Sequence, residues 1–236
     1  MNDPFDFFDA IFCINLDSRP DRWLECTTVF EEYGIEDKVQ RFSASIMDLP
    51  GVSAKHLARA GCAHSHFSVA KKAIQEGYNN YLILEDDFQF RLNKDDFRRQ
   101  LARSISQLPD DWDLFYLGCN LDQSYGIYPI DNFSDSLLKL NSAHCCHAMS
   151  FNQEFMKRFA AEAPDRQSIM NWMDKNQAID IYLASAVLSR INAFTADPLL
   201  VVQRPSFSNI EGVVYDYSAW MLQNFQIFKN NLKLKT

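Results

Sequence analysis

The chain has 236 residues, 47% of them hydrophobic, with 7 Gly, 8 Pro and no low-complexity tract or internal repeat, so a continuous ordered globule is expected. Its net charge of −8 argues against a general nucleic-acid binder, which would carry a basic field, though not against a local basic phosphate site. Cys13, Cys26, Cys62, Cys119, Cys145 and Cys146 have no framework spacing and read as free, mostly buried thiols of a reducing compartment.

Met1 to Asp9 carry acids and no basic stretch, so a signal peptide is not expected, and no run approaches the roughly 18 apolar residues of a membrane span. A soluble cytoplasmic protein follows as the expectation. Ala10 to Leu16 predict a first strand, and Asp17 to Arg22 a turn opening a helix, with Ser18 as N-cap, Pro20 in the first turn and Asp21 answering the dipole. Trp23, Val29, Phe30 and Tyr33 carry this helix to Gly34, a C-cap. Arg19 and Arg22 at its start suit a diphosphate, since backbone N–H groups and guanidinium forks both favour phosphate oxygens; they read equally as solvated helix-start residues.

Lys38 to Phe42 predict a second strand, Ser43 to Pro50 a loop, and Ser53 to Gln75 a helix interrupted by Gly61, with Ala63, Phe67, Ala70 and Ile74 on its packed face. His64 and His66 are two residues apart, point to different faces and make poor partners for one metal. Gly61 and Ser65 mark a place where backbone approaches a ligand.

At Tyr81 to Phe88 four apolar residues run into Glu85, Asp86 and Asp87. The run reads as a buried strand of a parallel sheet, and its carboxyl end is where open α/β sheets bind ligands. Side chains alternate along a strand, so Glu85 and Asp87 share a side and Asp86 points the other way. Such a pair suits a hard divalent cation, which takes oxygen ligands and often only one or two carboxylates. The plain alternative for each acid is a strand exit or a helix N-cap.

Phe97, Leu101 and Ile105 predict an amphipathic helix over Lys94 to Leu108, Trp112 to Gly118 a buried strand, and Cys119 to Asp135 a loop long enough to be a lid or acceptor loop. Ala143 to Met149 read as a strand of small buried side chains; its neighbouring His and Cys residues point alternately up and down and cannot wrap a zinc ion. Gln153 to Ala163 form a helix, a loop with Arg166 and Trp172 follows, and a helix begins at Ala178 with Asp180 in its first turn. Pro198 to Gln203 make a late strand and Arg204 to Gly212 a polar loop with Ser206, Ser208 and Asn209. The tail, with Trp220, Met221, Phe225, Phe228 and Leu232 beside Lys229, Lys233 and Lys235, is a terminal helix covering the core, or a basic amphipathic end making peripheral contact with a membrane.

In this order, Ile14 to Arg22, Gly61-Cys62-Ala63-His64-Ser65-His66, Tyr81 to Asp87 and Trp112 to Gly118 resemble glycosyltransferase family 25, the lipooligosaccharide-biosynthesis and collagen-galactosyltransferase type. Weaker agreement lies in Ile179-Asp180 and in Pro198 to Gln203 with Ser208 and Ile210. The resemblance implies an α/β, GT-A-type nucleotide-sugar-binding fold, with a mostly parallel central sheet and helices on both faces. It implies one domain over residues 1–236, in which 1–118 bind the nucleotide sugar and 119–236 form the acceptor side. It further implies Mn²⁺ or Mg²⁺ on an Asp-x-Asp type motif, here Glu85-Asp86-Asp87 with Glu in place of the first Asp. Asp87 and Glu85 would be metal ligands, with Glu85 or Asp86 reaching ribose or metal. Asn15 and Leu16 would line uracil and ribose, Arg19 or Arg22 would approach the diphosphate, Gly61 and Ser65 would lie near the nucleotide sugar, and Gln203 would contact substrate.

The implied reaction is inverting transfer of a hexose, galactose from UDP-galactose, to a glycan or glycolipid acceptor. It needs a carboxylate on the acceptor side as general base. Asp180 is expected there, with Asp122 a loop alternative, Asp113 disfavoured at the opposite edge, and a dipole role the plain alternative for Asp180. Two other classes suit the same acids: a Mg²⁺-dependent nucleotidyl or phosphoryl transferase, for which no Gly-rich phosphate loop is found, and a catalytically silent nucleotide- or glycan-binding module.

Overall fold

In the computed structural model, residues 3–207 and 214–233 are described; Ser208, Asn209, Ile210, Gly212 and Lys235, named above, lie outside them. β1 (Ile11–Asn15), α1 (Pro20–Tyr33), β2 (Val39–Ser43), α2 (Ala54–Gln75) and β3 (Asn80–Glu85) open the chain as strand, helix, strand, helix, strand. Next come β4 (Phe88–Phe90), α3 (Lys94–Ile105), β5 (Leu114–Leu121), β6 (Ile130–Asn132), β7 (Leu137–Leu140) and β8 (Ala143–Asn152). The chain continues with α4 (Gln153–Ala161), α5 (Ile169–Asn176), α6 (Ile179–Tyr182), β9 (Ala193–Ala196), β10 (Val201–Gln203), β11 (Ser206–Phe207), β12 (Val214–Tyr215) and α7 (Ser218–Lys233).

Eight strands form the central sheet in the order β2-β1-β3-β8-β5-β9-β7-β6. β1 pairs in parallel with β2 and β3, because a crossover helix returns the chain to the same end each time. β8 then runs antiparallel between β3 and β5, and β7 antiparallel between β9 and β6, while β5 and β9 pair in parallel, so the sheet is mixed, with β7 and β8 reversed in an otherwise parallel set. Helices cover both faces. Phe12, Ile14, Tyr81 and Ile83 enter one core with Phe67 of α2 and Phe155 of α4, while Ile11, Cys13, Leu82 and Leu84 enter the other with Phe30 of α1 and Leu101 of α3. Burial on both faces is why β1 and β3 read as unbroken apolar runs.

Several expectations change. Ser18 is not the N-cap of α1: Arg19 holds that place, its carbonyl accepting from Trp23 N, with Pro20 supplying the first helical φ. Gly61 does not interrupt α2, which is continuous from Ala54, and Ile74 is exposed rather than packed. The Cys119 to Asp135 loop shrinks, because β5 runs to Leu121 and β6 lies within it. Trp172 belongs to α5, not a loop, and β10 leaves the main sheet to form a ribbon with β4. α7 buries Met221, Phe225 and Leu232 in the core, so the tail is a covering helix.

Candidate active site

The alternation of β3 carries through its acidic end. Glu85 continues the row of Tyr81 and Ile83 toward α2, and Asp86 continues the row of Leu82 and Leu84 toward α1. Asp86 is buried, accepting from Arg22 Nη1 at 2.6 Å and from Asn15 Nδ2 at 2.7 Å. The Asn15 amide also donates to the Arg19 carbonyl and accepts from Arg41 Nε at 2.9 Å, while Arg41 reaches Asp17 at 2.9 Å. Asp86, Asn15 and Arg22 thus brace one another where the first strand and helix meet. Arg41, an isolated base in a short polar strand, gives no sequence signal of belonging to this network.

Asp87 is the crowded carboxylate. Its Oδ2 accepts from Gln203 Nε2 at 3.4 Å, and its Oδ1 is buried without a hydrogen-bond partner. Burial, then the charges of Glu85 and Asp86, push its pKa to about 7. An orphaned carboxylate oxygen under like-charge pressure fits an oxygen-seeking dication. For Glu85, burial alone would raise the pKa, but His66, whose Nε2 lies 2.8 Å from Oε1, outweighs it and holds the carboxyl below its ordinary range.

These acids open into a cleft of about 480 Å³ walled by Asn15, Leu16, Ser18, Arg22, the 44–47 loop and α2. Gly61, Ser65, Glu85, Asp86, Asp87 and Gln203 line it too. Arg19 does not line it; its guanidinium forks onto Asp21. Gly61 and Ser65 serve the wall more directly than a ligand. A Cβ at Gly61 would stand 2.4 Å from the Ser45 carbonyl oxygen, and Ser65 Oγ donates to the Gly61 carbonyl while accepting from Ser45 N at 2.8 Å. Together they clamp the loop to α2.

A second cleft of about 550 Å³ adjoins the first, and Cys62, Glu85, Gln203 and Tyr217 line both. Asp180 sits in the second, at the start of α6, accepting from Ile181 N at 2.9 Å and Cys145 N at 3.3 Å. Burial opposes its charge, but His144 and these N–H groups prevail, so its pKa is lowered and it is ionised at neutral pH. His144 stands between two acids, Nε2 at 2.8 Å from Asp122 and Nδ1 at 3.6 Å from Asp180. Although burial opposes its charge, the two carboxylates raise its pKa. Cys145 has φ 69°, left-handed and strained for a side chain, which aims its N–H at Asp180. Asp113 is elsewhere, bonded to Asn192 N. Tyr217 and the half-exposed Trp220, their rings 6.3 Å apart, also line this cleft. The aromatic tail gave no clue to that role, since its spacing reads as core packing. No helix among the described residues is long and apolar enough to cross a membrane.

Residues 2–125 match glycosyltransferase family 25 (LPS biosynthesis protein). Procollagen galactosyltransferase 2 of Homo sapiens is 33% identical over 132 residues, covering 47% of this chain and 21% of the relative. A glycosyltransferase 25 family member of Drosophila pseudoobscura pseudoobscura is 32% identical, covering 47% and 20%. The inactive glycosyltransferase 25 family member 3 of Homo sapiens is 30% identical, covering 47% and 22%. The chain thus spans about a fifth of the length of these curated relatives. Among solved structures, galactosyltransferase LgtC with donor and acceptor sugar analogues is 14% identical, covers 94% of this chain and 96% of that one, and aligns with a TM-score of 0.39.

Proposed function

We infer the reaction from one premise: this chain belongs to glycosyltransferase family 25. It moves a hexose, galactose from UDP-galactose, to a hydroxyl of a glycan or glycolipid acceptor with inversion at the anomeric carbon. The observation that carries this reading is the meeting of two clefts at Cys62, Glu85, Gln203 and Tyr217, with Asp87 opening into one and Asp180 into the other.

The nucleotide sugar occupies the first cleft, formed largely within residues 1–118, and the acceptor the second, formed largely within 119–236. Leu16 and Ser18 face the nucleoside from a wall braced by Asn15, Asp86 and Arg22, and the start of α1 faces the diphosphate. Asp87 and Glu85 would hold Mn²⁺ or Mg²⁺, and that cation supplies neutralisation of the charge growing on the leaving diphosphate. Asp180, ionised and open to the second cleft, takes the proton of the attacking hydroxyl onto its carboxylate. The hydroxyl enters from the cleft that does not hold the nucleotide, and displacement from that side inverts the centre. Tyr217 and Trp220 give the acceptor sugar an apolar ring face. The six free thiols accord with a reducing, cytoplasmic setting.

The test follows nucleoside diphosphate release from UDP-galactose with Mn²⁺ and candidate acceptors. Asp87→Asn should lower turnover by about 100-fold or more at unchanged circular dichroism; full activity in that variant sinks the proposal. A relative named inactive keeps a second reading in view, a silent binding module, which UDP binding without turnover under any acceptor would favour.

A further inference from the structure

We propose that Cys62, His66 and Glu85 form a distinct metal site, selective for a divalent ion of the zinc class, at the junction of the two clefts. Cys62 and His66 are four residues apart on α2, so their side chains leave the helix one above the other on a single face. That face looks onto the carboxyl end of β3, where Glu85 stands. The three donor atoms lie within 4.8 Å of one another. His66 Nε2 is 2.8 Å and Cys62 Sγ 3.8 Å from Glu85 Oε1. A tetrahedral ion with bonds of about 2.0–2.3 Å separates its ligands by about 3.5 Å, so a small outward shift of Glu85 from His66 suffices.

The donor set decides the ion. Thiolate and imidazole suit zinc and its neighbours, whereas Mg²⁺ and Mn²⁺ favour oxygen. Cys62 and Glu85 line both clefts, which leaves a fourth position for water or substrate, the open arrangement of a reactive rather than a sealed structural zinc site. Asp87 and Asp180 border the same junction, so an entering dication meets carboxylates on both sides. Glu85 is common to this site and to the oxygen site proposed with Asp87. Zinc-class ions therefore inhibit the transfer, drawing Glu85 away from Asp87 and standing between donor and acceptor. That consequence rests on the proposed reaction; the site itself does not.

Titration of the full chain with Co²⁺, followed by absorption, tests the site. A thiolate-to-cobalt charge-transfer band saturating at one equivalent is expected, displaced by Zn²⁺, lost in Cys62→Ser and kept in Cys146→Ser, which removes a neighbouring thiol of the second cleft. Glu85→Gln should weaken Co²⁺ binding at least about tenfold, a check that does not depend on the fold of the cysteine variant. No band, a band that survives Cys62→Ser, or unchanged affinity in Glu85→Gln overturns the site. UDP-galactose turnover is measured in parallel. Cobalt binding at Cys62 without turnover of any nucleotide sugar keeps the site and removes the reaction, while Mn²⁺-supported turnover without the band removes the site alone.

Discussion

On the side of the junction proposed for the donor, Asp86 is held by Arg22 at 2.6 Å, both side chains close to one-tenth exposed, and by an Asn15 amide that is itself fully engaged. On the side proposed for the acceptor, Asp180 keeps 30% of its side chain in solvent and meets His144 only at 3.6 Å. The first carboxylate is part of the architecture, since every strong partner it needs is built in. The second is held in place by two N–H groups yet left open to accept a proton. On the proposed reaction, adjacent clefts of one chain would divide two tasks between them, and substitutions on the two sides should fail differently.

The largest expected effect is on the acceptor side. Asp180→Asn preserves the shape and an acceptor for an N–H group but removes the base, so kcat should fall by about 10²- to 10⁴-fold at nearly unchanged Tm. A variant that keeps its kcat breaks the contrast, and one that unfolds shows Asp180 to be architectural as well. On the donor side, Arg22→Ala leaves the buried Asp86 without its main partner, which should cost about 3–5 kcal/mol in chemical denaturation. A loss near zero would mean that water, not protein, holds Asp86.

The same contrast explains what could be read in the residues. The donor side is built from consecutive elements, and strand alternation alone separates Glu85 from Asp86, because the period of two is local. The acceptor side joins Asp122, His144, Asp180 and Trp220 across distant segments. His144 is hidden among neighbours that alternation sends up and down, yet Cys145 at φ 69° and a register shift between β5 and β8 break that alternation where it matters. Likewise the close pair His64 and His66 draws the eye from Cys62 and His66, one helical turn apart. The antiparallel course of β8 was not legible either, since an apolar run does not declare its neighbour or its direction. Gly61 lines the first cleft, and the Ser45 carbonyl 2.4 Å from where its Cβ would be gives it a packing role as well, which the residues alone did not announce.

A smaller effect sharpens the assignment of the acceptor cleft. Trp220 is 49% exposed on a helix that anchors itself through buried Met221, Phe225 and Leu232, so its removal should leave stability nearly intact. Trp220→Ala should raise the acceptor KM by about 2- to 10-fold, the range of a ring contact worth about 0.5–1.5 kcal/mol, with the KM for UDP-galactose unmoved. An equal rise in both constants would place the tryptophan at the shared junction instead.

Apart from its effect on turnover, Asp87, where the two sides meet, should have a small effect on stability, because a carboxylate that keeps some contact with water is partly screened. Burial, then Glu85 and Asp86, raise its pKa from 3.8 to about 7. Between those values the folded chain holds a proton that the unfolded chain has released, so this group makes stability fall as pH rises through the window. Asp87→Asn cannot develop the charge. Its Tm should match the wild type below about pH 4 and exceed it above about pH 7, while Mn²⁺ raises the Tm of the wild type more than that of the variant. A residue proposed to be needed for turnover would then be one that the metal-free fold is better without, as expected of a carboxylate positioned for an ion rather than for its neighbours. Parallel pH slopes in the two proteins would show that Asp87 is not crowded, and the cation would have to be sought elsewhere along the junction.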